Sequence, residues 1–335
     1  MKNFFLVFAA VSLIFTGSGC ASSSGSSLDK EYIQNGMSQG YVLPSYPVVF
    51  VPGLGYTGKF WEDSQMFKEL RHLGWKDRGV IKVSRDSQDP SHIILKPEKV
   101  QPGHIYTMTF SSTQLPIVEQ GKELAAVIEA VKNANSTDHV ILVGHSMGGL
   151  AAREYLQSPY FKNDVAGFVS VGVPHQGSNF ELKKIELVIV PKVIQNLVWD
   201  VDVKSAAVRD LRIHSVYLSG GNEKNSPDNF RSKDVNNNGF VGDNITALNN
   251  FKARPLPDRQ VYYDCVIGSG DPIIATRQQA EFSDGIVKIF SQDLNLVPGV
   301  NVKADLHYTK KDHFGEVNDT WVLMKAIDPL LIDVA

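Results

Sequence analysis

The chain has 335 residues, 43% hydrophobic and 21% charged, which is ordinary globular material and enough for one sizeable α/β domain carrying insertions. A formal net charge of −3 gives no reason to expect nucleic acid as a partner. No segment repeats.

The N-terminus differs from the rest. Lys2 is the only early charge, Phe4 to Phe15 is nearly all apolar, and Gly17-Ser18-Gly19 lead into Cys20. That apolar run is short for a membrane span, so residues 1–19 read as a secretory signal. Small residues ahead of a cysteine resemble a bacterial lipobox, which implies cleavage before Cys20, its acylation, and attachment to a membrane of the bacterial cell envelope. Gly17 departs from the usual Leu of that pattern, and a plain signal with secretion is the other reading. Ser22 to Ser27 (SSSGSS) is then a flexible tether within residues 20–40, and order is expected from near Tyr41, with a single domain over 41–335. The only other cysteine, Cys265, lies in an apolar run and reads as a small core residue.

Tyr46 to Val51 (YPVVFV) is a short buried strand that ends in Pro52-Gly53-Leu54-Gly55. Phe60 to Leu73 follows as an amphipathic helix. Gly79 to Val83 and Ile105 to Phe110 read as strands, with Asp86 to Pro102 a surface excursion between them. Val118 to Ala134 carries apolar residues at helical spacing (Leu124, Val127, Ile128, Val131). Val140 to Val143 is β-branched and apolar, as expected of a strand buried on both faces of a parallel sheet.

The pattern then changes within five residues. Gly144-His145-Ser146-Met147-Gly148 fits G-x-S-x-G, and from Met147 onward Leu150, Ala151, Tyr155 and Leu156 recur at helical spacing. A serine at such a strand-to-helix turn is held in strained geometry with its oxygen above the sheet, and the helix N-terminus directs unpaired N–H groups at the same place. The alternation of strands and helices predicts a mostly parallel sheet with helices on both faces.

Val165 to Val173 is the next buried strand, closed by Pro174-His175-Gln176-Gly177-Ser178 at the sheet's C-terminal edge. His175 is therefore a candidate base, though one more suited to shaping its loop. Regular alternation breaks over about 180–248, where Ile185 to Val201 is strongly apolar; a cap or lid over the site is expected there, with extra core as the competing reading. Inside it, Asp234, Asn236 and Asn238 followed by Gly239 match the first half of a calcium loop, but the twelfth position is Ile245 rather than Glu. Asp243 is a substitute ligand at the wrong spacing. A structural calcium and a plain Asn/Gly loop both stand. Val261 to Ile267 resumes the sheet, Val302 to Tyr308 is its last strand, and Thr320 to Leu331 is a terminal helix.

A serine hydroxyl is a weak nucleophile at neutral pH, so Ser146 needs an imidazole to take its proton and a carboxylate to orient that imidazole. His313, in a loop after the last strand, suits the role better than His307, which lies inside the strand pattern. Asp271, just beyond a strand, and Asp284, in a Ser-Asp-Gly turn, are both candidate acids. Backbone N–H groups of Leu54 and Met147 are the candidate oxyanion donors.

Five ordered motifs carry a resemblance: PVVFVPGLG, GHSMGG, SVGVPHQGS, SDGIV and HFGEV. Together they resemble the bacterial lipase and esterase branch of the α/β-hydrolase family and are similar to inositol-deacylase-like serine hydrolases. Pro52 stands where that family usually has His. The resemblance covers roughly Tyr46 to Leu331 apart from much of Ser219 to Ile245. It implies Ser146, Asp284 and His313 as a triad, hydrolysis of acyl or lipid esters, and no cofactor for catalysis. Thioesterase, acyltransferase or amidase chemistry on the same residues, or a binding lipoprotein on a hydrolase scaffold, are the alternatives.

Overall fold

The computed structural model describes residues 41–178, 202, 205–212, 215–219, 248–270 and 283–334. The expectations for Cys20 and its tether, for the apolar segment 185–201, for the calcium loop at Asp234, Asn236, Asn238 and Asp243, and for Asp271 lie outside them.

Eight strands form the central sheet: β2 (Val48–Val51), β3 (Asp77–Arg85), β4 (Ile93–Lys96), β5 (Ile105–Thr109), β6 (Val140–His145), β7 (Val165–Val171), β8 (Tyr262–Gly268) and β9 (Asp305–Thr309), in the order β4-β3-β5-β2-β6-β7-β8-β9. All neighbours pair in parallel except β4, which runs antiparallel to β3 at the edge. The sheet is mostly parallel, as the alternation of elements requires.

Side chains alternate across it. Val49, Val51, Val140 and Leu142 face one layer, built from α3 (Ile117–Asn135) through Leu124, Val127 and Ile128 and from α4 (Met147–Gln157) through Ala151 and Tyr155. Val48, Phe50, Ile141 and Val143 face the other, built from α2 (Gln65–His72) through Met66, Phe67 and Leu70 and from α7 (Thr320–Ile327) through Leu323, Ala326 and Ile327. Burial on both faces explains why these strands read as continuous apolar runs.

Four expectations need correction. The helix expected over 60–73 is two, α1 (Lys59–Glu62) and α2, because Ser64 leaves helical geometry and its hydroxyl accepts the Phe67 N–H at 3.2 Å as an N-cap. The excursion 86–102 contains β4, whose Ile93-Ile94-Leu95 pair with the edge of β3. Strand β7 ends at Val171, since Gly172 turns away at φ 57°. The terminal helix stops at Ile327, and Leu331–Val334 (β10) pairs antiparallel with Tyr41–Pro44 (β1) in a separate two-stranded ribbon. Cys265 is fully buried in β8 and free, as its apolar run predicts.

Parts of the 180–248 insertion are described. Helix α5 (Ala206–Leu211) and the turn α6 (Val216–Ser219) pack Ala207, Val208, Leu211 and Leu218 against Leu54, Met147 and Leu150, at the C-terminal edge of the sheet. A buried polar network fastens α4: Arg153 donates to Gln157 Oε1, to the His175 carbonyl and to Asn249 Oδ1, while Arg254 pairs with Glu154 at 2.7 Å. A buried cation is tolerable only when so completely paired.

The Ser64 hydroxyl satisfies one of the unpaired N–H groups at the start of α2. Replacing it, Ser64→Ala, should lower the unfolding free energy by about 1 kcal/mol in urea titrations; no change would mean the break is held by packing alone.

Candidate active site

Parallel strands all deliver their C-terminal ends to one edge, and that edge collects every residue of interest. Strands β2 and β6 are direct neighbours, with Val51 beside Gly144, so the turn after β2 meets the elbow after β6. The acid turn at Asp284 lies in the connection that follows β8, and His313 follows β9.

Ser146 sits at φ 53°, ψ −130°, outside the regions ordinary residues favour. The glycines around it leave no space for a side chain. A methyl on Gly148 would strike the carbonyl oxygens of Val51 and Pro52, one on Gly149 the Val173 side chain, and one on Gly144 the backbone of Gly149. Gly53 approaches the Ser146 Cβ in the same way. These contacts are the structural reason for glycine on both sides of the serine.

The hydroxyl meets an imidazole. Ser146 Oγ lies 2.9 Å from His313 Nε2, and His313 Nδ1 lies 2.8 Å from Asp284 Oδ2. With Asp284 accepting at Nδ1, that nitrogen carries the proton and Nε2 is left to accept from the serine. Asp284 also receives the N–H groups of Ile286 and Val287 on Oδ1, at 2.8 and 2.7 Å, and the Gln292 amide on Oδ2 at 3.1 Å. Burial pushes its carboxyl up, but the His313 interaction and these hydrogen bonds outweigh it, and the group is held below the usual carboxylate range. It stays ionised.

His145 supports the loop. It is fully buried, and its Nε2 donates to the His313 carbonyl at 2.7 Å. Burial, with His313 nearby, lowers its pKa to about 3, so it is neutral throughout the physiological range.

Two backbone N–H groups lie in the turns next to the serine. Tyr56 N–H bonds the Gly53 carbonyl to close a tight turn in which Gly55 takes φ 76°, and Gly55 N–H goes to Thr113 Oγ1. Leu54 N–H, at the second position of that turn, has no acceptor among the described residues, and neither has Met147 N–H, at the first position of α4. Pro52 presents its backbone carbonyl to Gly148 of the elbow, a group that any residue at this position would present.

The other histidines are elsewhere. His175 is fully buried, neither ring nitrogen has a hydrogen-bond partner among the described residues, and burial with nearby Arg153 holds its pKa well below the ordinary value. His307 stays within β9 and pairs with Asp264 at 2.9 Å. One group of three potential metal ligands occurs among the described residues, His145, His313 and Glu316, but His145 Nε2 and both His313 nitrogens are already committed to His313 O, Asp284 and Ser146. The arrangement suits proton transfer better than ligation.

A sequence model of the alpha/beta hydrolase family matches residues 48–290, most of the chain and all of the sheet from β2 to β8. The chain belongs to the alpha/beta hydrolase family. No curated protein sequence matches this hydrolase. Among solved structures, the mature lipase BlEst2 of Bacillus licheniformis is similar at 18% identity and a TM-score of 0.49, covering 87% of this chain and 93% of that one. The product of gene lin2722 of Listeria innocua is similar at 15% and 0.47, covering 85% and 91%. The phospholipase PlaB of Legionella pneumophila is similar at 14% and 0.44, covering 74% of this chain and 45% of that one. Likeness of this order carries no information on substrate.

Sequence reasoning gave Gln292 and His145 no role. A glutamine in a short apolar segment has no signature, and only the fold shows its amide bridging Asp284 and the carbonyls of Gly268 and Val287.

His175 gives a pH test with a defined sign. Its folded pKa is depressed, so the unfolded chain binds the extra proton and stability is lost as pH falls below about 6.5. Between pH 7 and pH 5 the wild type should lose about 2 kcal/mol relative to His175→Leu, because buried carboxyls common to both proteins cancel in the difference. Parallel urea curves at both pH values would contradict this.

Proposed function

We propose that this hydrolase cleaves carboxylic esters through an acyl-enzyme formed on Ser146. The observation that carries the reading is the unbroken chain Ser146 Oγ, His313 Nε2, His313 Nδ1, Asp284 Oδ2, at 2.9 and 2.8 Å, beside two unengaged backbone N–H groups. As Oγ attacks the carbonyl carbon, its proton passes to His313 Nε2, and Asp284 stabilises the imidazolium that results. The carbonyl oxygen becomes an oxyanion held by Leu54 and Met147 N–H, each such donor contributing about 3 kcal/mol to the transition state. The alcohol leaves with the proton from His313. Water then attacks the acyl-enzyme, giving its proton to the same nitrogen, and Ser146 is regenerated as the acid departs.

The walls of the site favour an acyl substrate. A cleft opens over Ser146, and Leu54, Tyr56, Leu211, Ile286, Val287 and Phe314 line it with largely apolar surface. Such a lining suits a hydrocarbon acyl chain, and each methylene buried there adds roughly 0.8 kcal/mol of binding. An acyl ester therefore fits better than a peptide.

Hydrolysis of p-nitrophenyl esters should be abolished in Ser146→Ala, together with labelling by a fluorophosphonate. Asp284→Asn should lower kcat by about ten-thousandfold with KM little changed, since an amide stabilises the wrong imidazole tautomer. Undiminished labelling of Ser146→Ala would reject the proposal.

A further inference from the structure

Behind the Asp284–His313 pair lies a second carboxyl for which the mechanism above has no use. Glu316 opens a short 3-10 turn, three residues after His313, and is fully buried. Its Oε2 lies 4.0 Å from His313 Nδ1 and 3.8 Å from His145 Nε2. Two glycines make its space: a methyl on Gly172, after β7, or on Gly268, at the end of β8, would overlap the carboxyl oxygens. Among the described residues no donor is placed with hydrogen-bonding geometry on either oxygen. Asp284 packs beside it, since a methyl on Gly268 would meet both the Glu316 carboxyl and the Asp284 Cβ within 3 Å, and two ionised carboxyls have only acceptors to offer each other.

We propose that Glu316 is a positioning residue that remains a neutral carboxylic acid and donates its proton to the Asp284 carboxylate, so that His313 faces one negative charge rather than two. The titratable groups around it are His313, His145, Asp284 and Asp312. Neither histidine supplies a compensating cation in the resting state: His145 is held neutral, and His313 must be neutral to accept the serine proton. Burial first, then the charges and hydrogen bond of Asp284 and the charge of Asp312, push the Glu316 carboxyl well above its ordinary range, with the Gly268 N–H opposing weakly. Two carboxyls sharing one proton are the stable state of such a pair.

The role rests on reading Ser146, Asp284 and His313 as the catalytic set, so the test has one readout that does not depend on activity. Infrared difference spectra of wild type minus Glu316→Gln at neutral pH should show a protonated carboxylic acid C=O band belonging to the wild type; its absence would overturn the proposal. Hydrolysis of p-nitrophenyl acetate across pH gives the second readout. Glu316→Gln keeps a neutral donor, and its rate should stay within about twofold of wild type with the acid limb unmoved. Glu316→Leu removes the donor, and kcat should fall roughly tenfold at unchanged KM, the acid limb moving to higher pH because the Asp284 charge is less dispersed. If Glu316→Leu does not fold, the glutamine variant and the infrared band decide. An acid limb displaced to lower pH in Glu316→Gln would mean that an anion had been removed, and would overturn the proposal, as would a leucine variant identical to wild type. An acid band in a wild type that hydrolyses no ester would overturn the positioning role together with the catalytic reading, while leaving the protonation assignment intact.

Discussion

The close approach of the turn after β2 to the elbow after β6 is the constraint on which the site depends. Gly148 rests on the carbonyls of Val51 and Pro52, Gly149 on Val173, and Gly53 on Ser146. Between them Ser146 is forced to φ 53°, a conformation that costs on the order of 1–3 kcal/mol and that only surrounding packing can maintain. What opposes relaxation is the core. Val48 to Val51 and Val140 to Val143 are buried on both faces, and the parallel pairing of β2 with β6 fixes where both turns emerge. The strained serine, the neighbouring Leu54 N–H and the Met147 N–H of the helix start are consequences of one register.

Charge is economised around that serine. Asp284 keeps its negative charge because four hydrogen bonds converge on it. His145 keeps none, because burial without a carboxylate partner within hydrogen-bonding distance makes the cation too costly, and its Nε2 proton is used to hold the His313 backbone. Asp284 is thus held ionised where it accepts from His313 Nδ1. The same logic explains the fate of the remaining histidines: His307 is partly exposed and bonded to Asp264, and its pKa rises, whereas His175 is enclosed beside Arg153 and its pKa falls.

How much of this was legible in the amino-acid sequence varied with the kind of physics involved. The strands β2, β6 and β7 were plain because two-sided burial writes itself as short runs dominated by Val, Ile, Leu and Phe, and the elbow was plain because close backbone approach demands glycine at fixed offsets. His313 and His307 were separable because one lies in a loop and the other in a strand. Asp271 and Asp284 were not separable on their own chemistry, and resemblance had to favour Asp284; in the structure Asp284 contacts His313, and the contact depends on a turn whose direction no local pattern records. The break at Ser64, the edge strand β4 and the β1–β10 ribbon were missed for a related reason. Each is a decision made by tertiary contacts over short segments with mixed local preference. Gln292 and Glu316 lay beyond reach because buried polar residues look like surface ones until the fold encloses them.

The central claim is that the oxygen of Ser146 becomes covalently acylated during turnover. Rapid acid quenching of the wild type during hydrolysis of a slow ester, followed by mass spectrometry of the proteolysed chain, tests it without inhibitors or mutations. The account predicts a mass increment equal to the acyl group on the peptide containing Ser146, appearing before steady state and decaying when substrate is exhausted. Turnover without any adduct, or an adduct on a peptide lacking Ser146, would contradict it.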